Sequence, residues 1–340
     1  MNKLFTLSVL IILVTSCQTK TTKKNSTNEV VKEIEKNKIE LPNTVKIEGV
    51  AQNPEGIEYN TNDQTFFLSS LNANPIIKIN TDGTYKSFTS GEQYPVSTAG
   101  LQIDYKNNRL LVAGFNGMEL YDNNPATKGL ATLRIYNLET GIMEKDINLS
   151  SLVPDAPAYF ANDVALDNEG NVYITDWYAG VVYKVDMSGK ASILWENKTG
   201  IPSGTNGIDF HSDGHLLVSL VSVNEKGLYA NYGLVKIPLN NPKSAKLVNI
   251  TNSGFTGFDG MVIKNNGNVV GITNNGKTPG GNTLIELSSN NKWESAEVVN
   301  SKNITASTTV AVTLENFNYI INQDFISNNA ENWTIERIKF

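Results

Sequence analysis

Four oxygen-bearing side chains, Glu55, Asn162, Asn206 and Asp259, stand at the same place in four copies of one short pattern. The copies read Glu55-Gly-Ile-Glu-Tyr, Asn162-Asp-Val-Ala-Leu, Asn206-Gly-Ile-Asp-Phe and Asp259-Gly-Met-Val-Ile. If the fold brings these positions together, they present two carboxylates and two amide oxygens. That hard, oxygen-only donor set suits calcium and suits zinc or copper poorly. Its two formal charges would offset one divalent cation, so a single Ca2+ is expected.

The elements around the pattern say how it is positioned. Each copy runs into a polar turn, Asn62-Asp63, Glu169-Gly170, Asp213-Gly214 or Asn266-Gly267, and then into a short apolar run. Strand, tight turn, strand is the local reading. Third strands follow at Ile76 to Ile79, Leu133 to Tyr136, Val181 to Val185, Leu234 to Ile237 and Thr283 to Leu287. Fourth strands follow at Tyr85 to Phe88 and Ser192 to Trp195. Two degenerate copies, Ala99-Gly-Leu-Gln-Ile and Thr308-Thr-Val-Ala-Val, bring the units to six, spaced 44 to 63 residues apart. Repeats of that length with four strands each predict an all-β, six-bladed β-propeller over residues 43–340. The last unit ends with its third strand, Trp333 to Phe340, so the alternating segment Thr44 to Val50 is expected to supply the outer strand of the sixth blade and close the ring. In such a ring the first strand of each blade lines the central channel, and side chains in one slot converge on the axis.

Asn or Asp before glycine is also ordinary turn chemistry, bonding to nearby backbone. Turn chemistry accounts for any one copy. It does not account for Glu55, nor for four acceptors gathered in register on one axis.

The N-terminus is a separate segment. Lys3 precedes an apolar run from Leu4 to Val14, too short to span a bilayer, and Val14-Thr-Ser-Cys17 follows. Small residues before the chain's one cysteine read as a bacterial lipobox. Residues 1–16 are then a lipoprotein signal peptide, Cys17 is the lipidated first residue, and residues 17–42 are a flexible tether. Gln18 is not a retention-type Asp, so the outer membrane of the cell envelope is the expected location, with the lipid as the only membrane contact. The remaining composition, 40% hydrophobic with 26 glycines over 340 residues, suits one repeat domain with an ample core. A net charge of -6 removes the electrostatic requirement for nucleic-acid binding. A monomer is expected.

The motifs Pro54-Glu55-Gly56, Ala161-Asn162-Asp163, Thr205-Asn206-Gly207-Ile208-Asp209 and Phe258-Asp259-Gly260-Met261 resemble the metal-site motifs of the regucalcin/gluconolactonase superfamily of six-bladed propellers. The resemblance spans nearly the whole domain. Its placement on units one, three, four and five is more similar to the paraoxonase-like and strictosidine-synthase-like branches than to regucalcin itself. Those relatives are lactonases, esterases or, in one branch, a metal-free condensing enzyme. The resemblance implies calcium-dependent hydrolysis of a small-molecule lactone or ester, the metal polarising the carbonyl, with Asp259 both ligand and general base for the attacking water. Paraoxonases are associated with a histidine pair above the metal. Here the two histidines, His211 and His215, fall in the turn of unit four, at the far end of the strand from the slot, and read as solvated turn residues.

Other positions carry weaker signals. Asp163 follows a ligand candidate and reads as a supporting residue, while Asp209 reads as structural. Asp176 and Trp177 end a second strand on the ligand face, where Trp177 forms a pocket wall or caps the barrel. Gln102 and Thr308 lie at or beside the slot of the degenerate units. These four, Gln102, Asp176, Trp177 and Thr308, are the candidate substrate contacts. Three long connections, Asn116 to Gly129, Ser222 to Tyr232 and Asn274 to Gly281, form the expected rim, with Met118, Tyr121, Leu228 and Tyr229 as its apolar members. A second function class fits the same pattern: a non-catalytic propeller plugged by calcium, binding a protein or glycan through the rim.

Overall fold

The computed structural model describes residues 41–49, 53–72, 75–92, 96–116, 129–226, 228–274, 282–304, 307–313, 315–322 and 332–340. Cys17, the signal and nearly all of the tether lie outside the described residues, as do Met118, Tyr121 and most of two of the three expected rim segments. The chain divides into two units, residues 1–41 and Pro42–Phe340, and the second is the propeller.

Among the described residues the strands form six sheets, arranged as the six blades of a β-propeller. The inner strands are Ile57–Asn60, Ser97–Asp104, Ala161–Leu166, Gly204–His211, Met261–Ile263 and Val310–Val312. Blade 5 gains a short fifth strand, Asn249–Ile250, which pairs in parallel with its outer strand Ser295–Ile304. The sixth blade closes as expected: Thr44–Glu48 is its outermost strand, antiparallel to Asn332–Ile338, with Val45 opposite Ile335 and Ile47 opposite Trp333. Alternation makes this closure hold, because Val45 and Ile47 point inward and are buried while Thr44, Lys46 and Glu48 face solvent.

The turns after the inner strands use glycine where the backbone demands it. Gly170, Gly214 and Gly267 lie at φ of 89°, 85° and 83°, the left-handed region that costs other residues strain. Apolar clusters fill the gaps between neighbouring blades. Blades 2 and 3 share one built on Leu111, Leu133, Ile174 and Tyr183, and blades 4 and 5 share one built on Leu217, Phe258 and Ile285. Stacking of sheet on sheet around the ring thus removes apolar area from water on both faces of each blade.

The expected rim segment from Ser222 to Tyr232 is not a long loop. The second strand of blade 4 runs from His215 to Val223 and the third from Tyr229 to Pro238, with Val223 paired to Tyr229. Polar residues in this hairpin hid it from the pattern, since both faces are partly solvated there and apolar alternation is lost.

Candidate metal and active site

A local irregularity aims the slot. In blades 2, 3 and 4 the register slips between Thr98 and Leu101, between Ala161 and Val164 and between Thr205 and Ile208. Each slip is a bulge holding the slot residue and its successor, and bulges re-aim a side chain without breaking the sheet. Glu55 and Asp259 sit just before their strands, where Ser69 N–H bonds to Gly56 O and Asp259 N–H to Ile272 O.

In four of the six units the residue after the slot is glycine, for reasons of packing as well as turn chemistry. A β-carbon on Gly56 would lie 2.2 Å from Ala99 O of the next blade, and one on Gly207 would lie 2.2 Å from Asp259 O. Gly100 and Gly260 are pressed in the same way against Asp163 and Thr309. Each of these four slots therefore rests directly on the chain of its neighbour. That contact fixes the spacing of the ring.

Glu55, Asn162 and Asn206 are buried, and Asp259 is half-buried. Burial raises the Glu55 carboxyl well above its ordinary value, and the nearby charges of Asp259 and Asp163 raise it further. Burial also raises Asp259, against the hydrogen bonds it receives from Tyr229 and Asn206. The Tyr229 hydroxyl donates to Asp259 Oδ2 at 2.9 Å. Among the described residues no lysine or arginine forms an ion pair with these carboxylates. Asn206 Oδ1 is a buried acceptor with no hydrogen-bond partner. An orphaned amide oxygen beside clustered carboxylates is what a hard cation would satisfy, so the residues fit calcium. The described residues contain no group of three His, Cys, Asp or Glu side chains suited to a metal, because half of this set consists of amides.

Below the slot the inner strands carry a second tier. Asp163 accepts Ile208 N–H at 3.0 Å, Asp209 accepts Ile263 N–H at 2.6 Å and Glu58 accepts Ile103 N–H at 3.4 Å. In every case a carboxylate of one blade holds the inner strand of the next. Burial is the main cause that lifts these acids, Asp163 to about 7, Asp209 to about 6 and Glu58 to about 8. All three line a polar channel cavity of about 220 Å³, together with Gln102. Glu58 stands three residues after its slot, as Asp209 does after Asn206, and this shared offset is the sequence signal for its place in the tier.

The four candidate substrate contacts do not gather in one place. Gln102 lines the channel below the slot and donates to Glu58 Oε1. Thr308 Oγ1 donates to the Glu55 carbonyl, tying blade 6 to blade 1. Asp176 is fully buried and accepts from Phe160 N–H, Ala179 N–H and the Tyr183 hydroxyl. Trp177 crosses to blade 4, its indole N–H donating to Val221 O at 2.8 Å, with Tyr178 stacked on it and Phe160 against its edge. The histidines need correction. They lie at the far end of blade 4, but they are buried rather than solvated, stacked with ring centroids 4.6 Å apart and with Trp293 against His211. The turn is so tight that it pairs them across the hairpin, and Trp293 packs edge-on against His211.

Fold and site together define a six-bladed propeller with oxygen-bearing side chains gathered beside its inner strands. Residues 53–286 match the family described as SMP-30/Gluconolactonase/LRE-like region, and the chain belongs to that family. Among solved structures it is similar to a gluconolactonase from Xanthomonas campestris, at 12% identity and a TM-score of 0.57, covering 87% of this chain and 89% of the other. It is also similar to a calcium-binding regucalcin from Agrobacterium tumefaciens, at 16% identity and a TM-score of 0.53, over 84% and 90% of the two chains. A chain in a nidogen/laminin complex shares the fold at 12% identity and a TM-score of 0.53, over 77% and 85%. No curated protein matches by sequence.

Proposed function

We propose that this protein is a calcium-dependent hydrolase of lactones or small esters. The observation that carries the reading is the buried oxygen slot with Asn206 Oδ1 left without a partner, in a chain of the gluconolactonase-like family. Glu55, Asn162, Asn206 and Asp259 would hold the cation. When bound, calcium supplies a Lewis acid for the substrate carbonyl. Asn206 and Tyr229 fix the Asp259 carboxylate, which accepts a proton from the attacking water, while the slot excludes bulk water from three of its four members. The two buried histidines lie at the other end of blade 4 and take no part. Cys17 would tether the protein by lipid to the cell envelope.

The test is hydrolysis of aldonolactones, aliphatic lactones and aryl esters by residues 18–340, with and without EDTA. Turnover lost in chelator and restored by calcium supports the reading. Protein that binds calcium yet turns over none of the panel would favour the second reading, a calcium-plugged binding propeller. The fold likeness to the nidogen/laminin chain supports that alternative.

A further inference from the structure

Tyr229 reaches the slot from outside the repeating pattern. It opens the third strand of blade 4, yet its hydroxyl crosses to Asp259 before the inner strand of blade 5 and donates to Oδ2. The strand pairing that carries it, Val223 to Tyr229 and Val221 to Tyr232 with a register shift between them, holds this residue in the sheet of blade 4. Glu55, Asn162 and Asn206 come from repeats of one motif, whereas Tyr229 acts on one member alone.

We propose that Tyr229 is a positioning residue that commits Asp259 Oδ2 to a hydrogen bond and so restricts this carboxylate to one-oxygen use by the cation, keeping a place free for water and substrate. The inference rests on the calcium reading above. An aspartate serves calcium with one oxygen or with two, and the choice decides how many positions remain for other ligands. A phenol hydroxyl on a carboxylate is a charge-assisted bond, strong enough to make that choice. Both partners gain from it, because a half-buried hydroxyl also needs an acceptor.

Tyr229→Phe removes the hydroxyl and keeps the ring. Calcium binding, followed by titration calorimetry, should tighten about threefold or more as Oδ2 becomes available. At saturating calcium, kcat should fall about tenfold or more, in line with losing a hydrogen bond to a charged group. Damage to the fold would weaken both together, so the opposite signs mark positioning. Tyr232→Phe, on the same strand but 41% exposed, is the control and should match the parent in both measurements. Calcium affinity unchanged or weakened in Tyr229→Phe overturns the positioning role while leaving the cation site standing. A parent protein that binds no calcium overturns both.

Discussion

Gly207 lies directly beneath the carbonyl oxygen of Asp259, so close that a β-carbon would stand 2.2 Å from it. The contact joins blade 4 to blade 5 at the slot. Gly207→Ala must push the two blades apart or twist the bulge. Overpacking of this kind costs about 1–3 kcal/mol, measurable by chemical denaturation, and calcium affinity should weaken with it. A variant with unchanged stability and affinity would show that the ring spacing is set elsewhere.

Asp259→Asn keeps the acceptor for Tyr229 and removes the charge. Hydrolysis should drop at least about a hundredfold, as for loss of a general base, with melting temperature near that of the parent. Retained activity would remove Asp259 from the chemistry and leave it as a ligand only.

The stacked histidines predict an acid-side loss of stability. Burial lowers both; His215 falls from 6.5 to about 4, with the charges of His211 and Lys236 adding to the effect against Asp213. The folded state holds neutral imidazole where the unfolded chain would protonate, so the contribution is present above pH 6.5 and is lost as pH falls toward 4. Melting curves between pH 7.5 and 4.5 should fall less steeply for His215→Gln than for the parent. Equal slopes would place the titration in other groups.

Glu58 acts with the opposite sign. Its carboxyl is raised from 4.5 to about 8, mainly by burial, so it favours the fold most below pH 4.5 and loses that contribution as pH rises through 8. Glu58→Gln keeps an acceptor for Ile103 N–H and carries no charge. In EDTA its melting temperature should exceed that of the parent at pH 8.5 and converge with it near pH 5. A constant gap would mean that the acid is neutral throughout.

Closure of the ring is a matter of two apolar side chains. Ile47 is fully buried opposite Trp333, and Ile47→Ala should cost about 2–5 kcal/mol by cavity formation. Lys46→Ala, on the solvent face of the same strand, should cost little. Similar costs for both would argue against the closing strand as a packed element.

The repeat made the architecture legible. Turn pairs such as Glu169-Gly170 and alternation such as that of Val45 and Ile47 act over a few residues, and local patterns of that kind survive in a single sequence. What stayed hidden depends on neighbours distant along the chain. The need for glycine at Gly56 comes from Ala99, and Asp163 matters because Ile208 N–H faces it across a blade boundary. Tyr229 reads as a rim residue because the start of its strand lacks an apolar face. His211 packs against Trp293, about 80 residues away, a neighbour that no motif around it reveals.

The closing strand also sets an order in time. Val45 and Ile47 are among the first propeller residues to leave the ribosome, and their partners Ile335 and Trp333 are among the last. Five blades can form while the chain is still being made, but until residues 332–338 emerge this apolar strand has nothing to pair with. Closure of the sixth blade therefore waits for residues 332–338. A propeller lacking residues 332–340 would keep an unpaired sheet edge on display, and quality-control machinery could recognise it by that edge alone.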